Sequence, residues 1–361
     1  MGWGLAIFAC VSAAAGLAWW AWLGDAGTAR DPGAVVAWEK IDMIVRRVLS
    51  ALAVLAAMAL PAFAQDNWPT RPVKIIVNFA PGGSTDNAAR PVADRLSRAL
   101  GQQFIIENKA GASGTIGVEA AVRAAPDGYT LFVTGSPVLI LIPQARKVPW
   151  DTFKDMVPIA RIADYMLPIA INPSMPMNSI KELEAYAKAN PGKLVCGSAG
   201  LGTFTHMICE TLKASGGIDN LHVPYRGGAD ALNDFLAGIT NIHSEPNVMP
   251  HVKAGKAKLL AIADRERHPD YPNVPLISEI YPDIKIFGWF GLFAPAGTPP
   301  AIIRKLNAEI NKITVLPELR TQYLGLALRA GGGTPEQFTA IIQEEWEYYG
   351  KLVKALNLKL E

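Results

Sequence analysis

Short apolar runs alternate with amphipathic stretches along most of the chain. Val73-Lys74-Ile75-Ile76-Val77 is a β-branched run and predicts a buried strand. Residues 81–86 predict a turn, and 87–100 a helix with Ala88, Val92, Leu96 and Leu100 on one stripe, ended by Gly101. Strands are expected over 104–107 and 130–134, with a helix over 116–124 between them. The alternation resumes after Pro173. Helices are expected over 180–189, 204–215 and 229–237, and strands over 194–197, 222–225, 259–263 and 288–294. Two more helices follow, over 299–311 and 335–356. This order predicts an α/β fold with a mainly parallel sheet covered on both faces.

The pattern differs before residue 65. Arg46 and Arg47 precede an apolar run over 48–60, and Ala62-Phe63-Ala64 has the small-x-small form of a cleavage site. Residues 43–64 therefore read as a secretory signal peptide cut after Ala64, and the expected location is the periplasm. A second apolar run, over 5–23, has nothing basic ahead of it. Met43 is the more natural start, and 1–42 reads as a wrongly extended N-terminus or an extra hydrophobic segment.

Composition adds limits. The chain has 361 residues, enough for two domains, and half of them are hydrophobic. Net charge is +2, and residues 1–64 carry as many acidic as basic groups, so neither sign dominates the body. A nucleic-acid partner gains no electrostatic support. Cys196 and Cys209 stand without a C-x-x-C motif and read as two buried thiols, with a disulfide left open. The five histidines (206, 222, 243, 251, 268) are dispersed and match no metal motif, so no metal and no cofactor are expected.

Three small-residue stretches, 81–86, 110–115 and 198–203, sit between expected strands and helices. The first N–H groups of a helix lack internal partners, and the helix dipole adds partial positive charge there. Glycine lets a ligand approach the backbone. Such corners suit anions. None matches a P-loop or G-x-G-x-x-G, so nucleotide binding has little support. Each corner alone is also an ordinary tight turn.

A catalytic set is harder to find. Ser198 lies in Gly197-Ser198-Ala199-Gly200, which is not a G-x-S-x-G elbow. Cys196 with His206 or His222 would be a thiol–imidazole pair, yet ordinary hydrogen-bonding histidines explain these residues as well. Asp86 at a helix start reads as a loop-ordering residue. Binding without chemistry is the expectation.

Several motifs occur in order through residues 68–361: Trp68-Pro69-Thr70-Arg71-Pro72, Pro81-Gly82-Gly83-Ser84-Thr85-Asp86, Glu107-Asn108-Lys109-Ala110-Gly111, Ala125-Pro126-Asp127-Gly128-Tyr129, His222-Val223-Pro224-Tyr225-Arg226-Gly227 and Gly288-Trp289-Phe290-Gly291. Through them the body resembles the Bug family, the periplasmic binding proteins of tripartite tricarboxylate transporters. The resemblance implies a type II periplasmic-binding-protein, or Venus-flytrap, fold of two α/β domains around a ligand cleft. One domain would hold 65–169 and 287–361, the other 170–286. It implies a small carboxylate ligand (a di- or tricarboxylate, an amino acid or an aromatic acid) held partly through water by two corners. By position these are Gly82, Gly83, Ser84, Thr85 and Asp86, then Ser198, Ala199, Gly200, Gly202 and Thr203, with Ser136 and Tyr225 as further contacts. It also implies a monomer that delivers its ligand to integral-membrane transporter subunits. An exported ligand sensor for a membrane signalling partner and an exported hydrolase are the other readings.

One segment departs from the family: Ile242-His243-Ser244-Glu245 precedes Pro246. A carboxylate there repels a dianion and attracts an ammonium or another donor. The expectation is that Glu245 or His243 reads the far end of the ligand.

Overall fold

The structure is a computed structural model that describes residues 68–355 apart from Asp283, with Val45 standing alone ahead of them. Apart from Val45, the expected signal peptide, its cleavage point and the 1–42 segment lie outside the described residues.

The chain begins one lobe with β1 (Val73–Val77), α1 (Ser84–Leu100), β2 (Phe104–Asn108), α2 (Thr115–Val122), β3 (Thr130–Gly135), α3 (Ser136–Ile140), α4 (Ile142–Ala145) and β4 (Met156–Tyr165). It crosses at Met166 into β5 (Leu167–Ile171). The second lobe follows: α5 (Ile180–Ala189), β6 (Leu194–Ser198), α6 (Phe204–Gly216), β7 (Asn220–Pro224), α7 (Gly228–Leu236), β8 (Ile242–His243), α8 (Met249–Lys253), β9 (Lys258–Ala263) and α9 (Ile277–Ile280). The chain then returns through β10 (Trp289–Pro295), α10 (Pro300–Thr314), α11 (Pro317–Leu324), β11 (Leu328–Ala330) and α12 (Pro335–Ala355).

The first lobe's sheet runs β11-β4-β10-β3-β1-β2, and the second's runs β7-β6-β8-β5-β9. Both are mixed, which corrects the expected mainly parallel sheet. β1 is parallel to β2 and β3, and β6 to β7 and β8, as βα units require. β10 is antiparallel to β3 and β4, and β5 to β8 and β9. The cause is the double crossing. A strand that enters a lobe from its neighbour comes in at the opposite end from one fed by a covering helix.

β4 and β5 are absent from the sequence expectation. Each contains a proline, Pro158 or Pro168, which argues against a central strand. The structure accommodates both because their second partners are short. β11 covers β4 only at Ala163–Tyr165, and β8 covers β5 only at Ala170 and Ile171, so each proline lies where one side carries no ladder.

Helix α1 begins at Ser84, three residues before its expected start, with Gly83 as its extended N-cap. Its buried face includes Ala88, Val92 and Leu96, and the Tyr323 hydroxyl donates to the Ala88 carbonyl at 2.6 Å. Burying each such large side chain stabilises the fold by roughly 1.5–3 kcal/mol.

α2 lies close on the end of β1. A Cβ on Gly117 would fall 2.6 Å from Asn78 Cα and 2.8 Å from the Lys109 carbonyl oxygen, both backbone atoms. Gly117→Ala is therefore expected to destabilise the protein by about 1–3 kcal/mol, read as a lower midpoint in urea denaturation.

The two cysteines are joined. Cys196 in the middle of β6 and Cys209 on α6 form a disulfide with Cα atoms 5.9 Å apart, which corrects the expectation of two thiols. The strand–loop–helix corner between them brings the two side chains face to face within bridging range.

Candidate functional site

The corners at the ends of β1 and β6 face each other across the gap between the lobes. A Cβ on Gly83 would reach 4.0 Å from the Ala229 nitrogen, and one on Gly200 would reach 2.8 Å from Ser113 Oγ. Loops 81–83 and 110–114 of the first lobe thus meet α7 and loop 199–203 of the second. Between them lies a narrow pocket that opens to the surface. Gly83, Ser84, Thr85, Ala199, Thr203 and Glu245 line it.

The two corners differ in what they offer. α1 has no side-chain cap, and no acceptor among the described residues meets the backbone N–H groups of Ser84, Thr85 and Asp86. These open donors sit at the positive end of a 17-residue helix. The second corner satisfies most of its own donors, although the Phe204 and Thr205 N–H groups at the start of α6 meet no acceptor among the described residues. Ala199 N–H donates to Thr205 Oγ1 (2.9 Å), Gly200 N–H to Ser198 Oγ (3.2 Å), and Gly202 N–H to His206 Nδ1 (3.2 Å). Thr203 N–H donates to the Gly200 carbonyl at 3.3 Å. On this side the pocket is lined by Thr203, Phe204 and Thr205, with the two hydroxyls already bonded to each other.

The other expected residues fall into place around this asymmetry. Asp86 orders the first loop, accepting from Gly82 N–H at 2.9 Å, Arg90 Nε at 2.7 Å and Asn108 Nδ2 at 2.9 Å. Gly82 itself is exposed, at φ 79°, and does not line the pocket. Ser136 is buried one residue behind the lining residue Pro137, and its Oγ accepts from Trp289 N–H at 3.3 Å. The Tyr225 hydroxyl donates to Asp234 at 2.7 Å; burial and that bond push its pKa to about 12, so it stays neutral.

His243 is not in the pocket. It is fully buried, stacks on Phe235 and pairs through Nε2 with Asn247 Oδ1 at 3.1 Å. Burial lowers its pKa to about 4. Glu245 does line the pocket, but at the near end, where it accepts a hydrogen bond from Ser84 Oγ. Burial raises its pKa to about 7.

The aromatic walls of the pocket are not among the residues expected from the sequence. Phe79, Tyr165, Phe204 and Phe290 line the pocket with Leu167, and Tyr165 packs against Phe290 with ring centroids 4.1 Å apart. Each reads in the sequence as an ordinary core residue.

The histidines dispersed in sequence are partly gathered by the fold. His206 stacks on His222 at 4.3 Å, and Ser198 Oγ lies 2.7 Å from His222 Nε2. This pair does not make a hydrolase. Ser198 is fully buried and does not line the pocket, burial lowers His222 to about 4, and Cys196 is locked in the disulfide. His206, Glu210 and His222 bring ligand atoms within 4.8 Å of one another. However, His206 Nδ1 already accepts from Gly202, so its Nε2 carries the proton and has no lone pair for a metal. A larger hollow lies at the crossing strands, but its Asp164 and Asp264 are already paired with Arg161 and Arg329.

Residues 88–358 match the family described as the tripartite tricarboxylate transporter family receptor, TctC. The chain belongs to the TctC family. It is 33% identical over 332 residues to protein BugT of Bordetella pertussis, covering 88% of this chain and 100% of that protein. The structure of periplasmic binding protein BugD superposes with a TM-score of 0.77 at 30% identity, covering 81% of this chain and 100% of BugD. MatC from Rhodopseudomonas palustris with bound malate superposes with a TM-score of 0.74 at 30% identity, covering 79% of this chain and 100% of MatC. TctC proteins are periplasmic solute-binding receptors rather than enzymes, and the two sheet-based lobes are those of a Venus-flytrap fold.

Proposed function

We propose that this TctC receptor works in the periplasm, where it holds the anionic end of a small carboxylate on the N–H groups of Ser84, Thr85 and Asp86. Its lobes close around the ligand, and the closed form delivers it to the integral-membrane subunits of a tripartite tricarboxylate transporter. The observation that carries this reading is the run of three open donors at the start of α1, facing a pocket walled by both lobes. A ligand that touches both lobes favours the closed form because it makes its full set of contacts only there. The Cys196–Cys209 disulfide suits an oxidising compartment and agrees with the signal peptide read in the sequence. MatC, a relative of similar fold, holds malate.

Thermal unfolding with a panel of carboxylates and their matched amides tests this. Carboxylates that fit are expected to raise Tm in proportion to the logarithm of their concentration, and the amides are not. A panel in which amides stabilise as well as acids would rule the anion site out.

A further inference from the structure

We infer that Glu245 selects, among small carboxylates, those with a hydrogen-bond donor on the carbon next to the carboxylate, an ammonium above all. This rests on the proposed seating of the ligand's carboxylate at the start of α1.

Position is the first argument. Glu245 follows the end of β8 by two residues and is held in the second lobe, yet its carboxyl lies against Ser84 of the first. It is 8% exposed and shares the pocket wall with Gly83, Ser84 and Thr85. Gly228 leaves room for it: a Cβ there would come within 2.7 Å of Glu245 Cδ. The carboxyl therefore stands beside the open amides of α1 rather than at the opposite end of the pocket. A ligand group directly attached to the carbon next to the seated carboxylate is the group that meets it.

Charge is the second argument. Among the described residues no lysine, arginine or histidine forms an ion pair with Glu245; Ser84 is its one side-chain partner. A buried carboxyl without a cation is costly to ionise. The titratable groups on neighbouring elements are committed elsewhere. Asp86 on α1 binds Arg90, and His206 on α6 faces Gly202 and Glu210. Asp234 on α7 accepts from Tyr225, and Asp230 is exposed. On its own segment His243 is kept neutral by burial. Tyr165 on β4 is the remaining neighbour, and it too is neutral, held protonated by burial and by Glu245. The cation that would settle Glu245 has to arrive with the ligand. A plain dicarboxylate or monocarboxylate brings none, and a hydroxyl brings a donor without charge.

Burial raises Glu245 to about 7, which gives opposite pH trends for the two kinds of ligand. A ligand with an ammonium prefers ionised Glu245, so its affinity rises as pH rises through about 7. A ligand without a donor prefers the neutral acid, so its affinity falls over the same range.

The test is calorimetric titration with trios that share a skeleton. These are propionate, lactate and alanine; succinate, malate and aspartate; glutarate, 2-hydroxyglutarate and glutamate; and phenylpropionate, phenyllactate and phenylalanine. In whichever trio fits the pocket, the amino member is expected to bind about 10-fold or more tighter than the unsubstituted one, with the hydroxy member between. Glu245→Gln should erase that ranking and its pH trend. The inference is overturned if the unsubstituted acid binds tightest, or if Glu245→Gln, shown folded by its unliganded Tm, preserves the preference for the amino member. Failure of every acid to bind would overturn the carboxylate reading itself, and this inference with it.

Discussion

Ser84→Pro is expected to weaken carboxylate binding by about 10- to 100-fold, with the stability of the unliganded protein close to that of Ser84→Ala. Ser84 is the first helical residue of α1, the position where proline is best tolerated. Its N–H has no partner among the described residues, so proline removes no intramolecular bond there. Gly83 already holds φ −74° and ψ 168°, the extended form that the residue before a proline prefers. What is lost is the hydroxyl's bond to Glu245 and one amide donor to the ligand's negative charge, and a hydrogen bond to a charged group is worth about 1.5–3 kcal/mol. Ser84→Ala is the necessary companion. It removes the same hydroxyl and keeps the N–H, so the difference between the two variants in calorimetric Kd isolates the amide. Equal losses in both would place the effect on the hydroxyl.

Removing the disulfide is expected to cost about 3 kcal/mol of stability. The bridge closes a short loop, 13 residues apart in sequence, and a loop of that size restricts the unfolded chain by about that amount. Both cysteines are fully buried, so the paired Cys196→Ala, Cys209→Ala variant also loses packing around the sulfurs. Urea denaturation should show the lower midpoint, and Tm should fall by several degrees. The bridge holds the strand and helix that flank loop 199–203, and neither cysteine lines the pocket. The Kd of the folded variant is accordingly expected to change far less than its stability. Identical denaturation curves with and without the bridge would contradict the assignment.

Local patterning made much of this fold legible. Helix α5 falls on its expected residues because Ser179 caps it and apolar positions repeat at helical spacing. β1 follows from its β-branched run. The crossing strands were not legible, because Pro158 and Pro168 are tolerated only where a partner strand happens to be short. Direction was hidden for the same reason. Whether a strand is fed by its own covering helix or arrives from the other lobe is a property of the whole chain path.

The site was legible in the same uneven way. The run from Gly83 to Thr85 could be read as an anion corner, since helix-start geometry is local. The run from Ser198 to Thr203 looked equivalent, but three of its amides are taken up by Thr205, Ser198 and His206, side chains whose reach depends on tertiary placement. Glu245 stood out because a carboxyl is unusual beside an expected anion site. Its distance from α1 was set by packing 161 residues away, which no spacing rule reports.

A crystal structure of the protein with its tightest-binding carboxylate tests the central claim most directly. A carboxylate oxygen is expected within hydrogen-bond distance of the Ser84, Thr85 and Asp86 nitrogens, with residues of both lobes around the ligand. A carboxylate bound elsewhere, in the hollow at the crossing strands for example, with those three nitrogens facing only solvent, would contradict it.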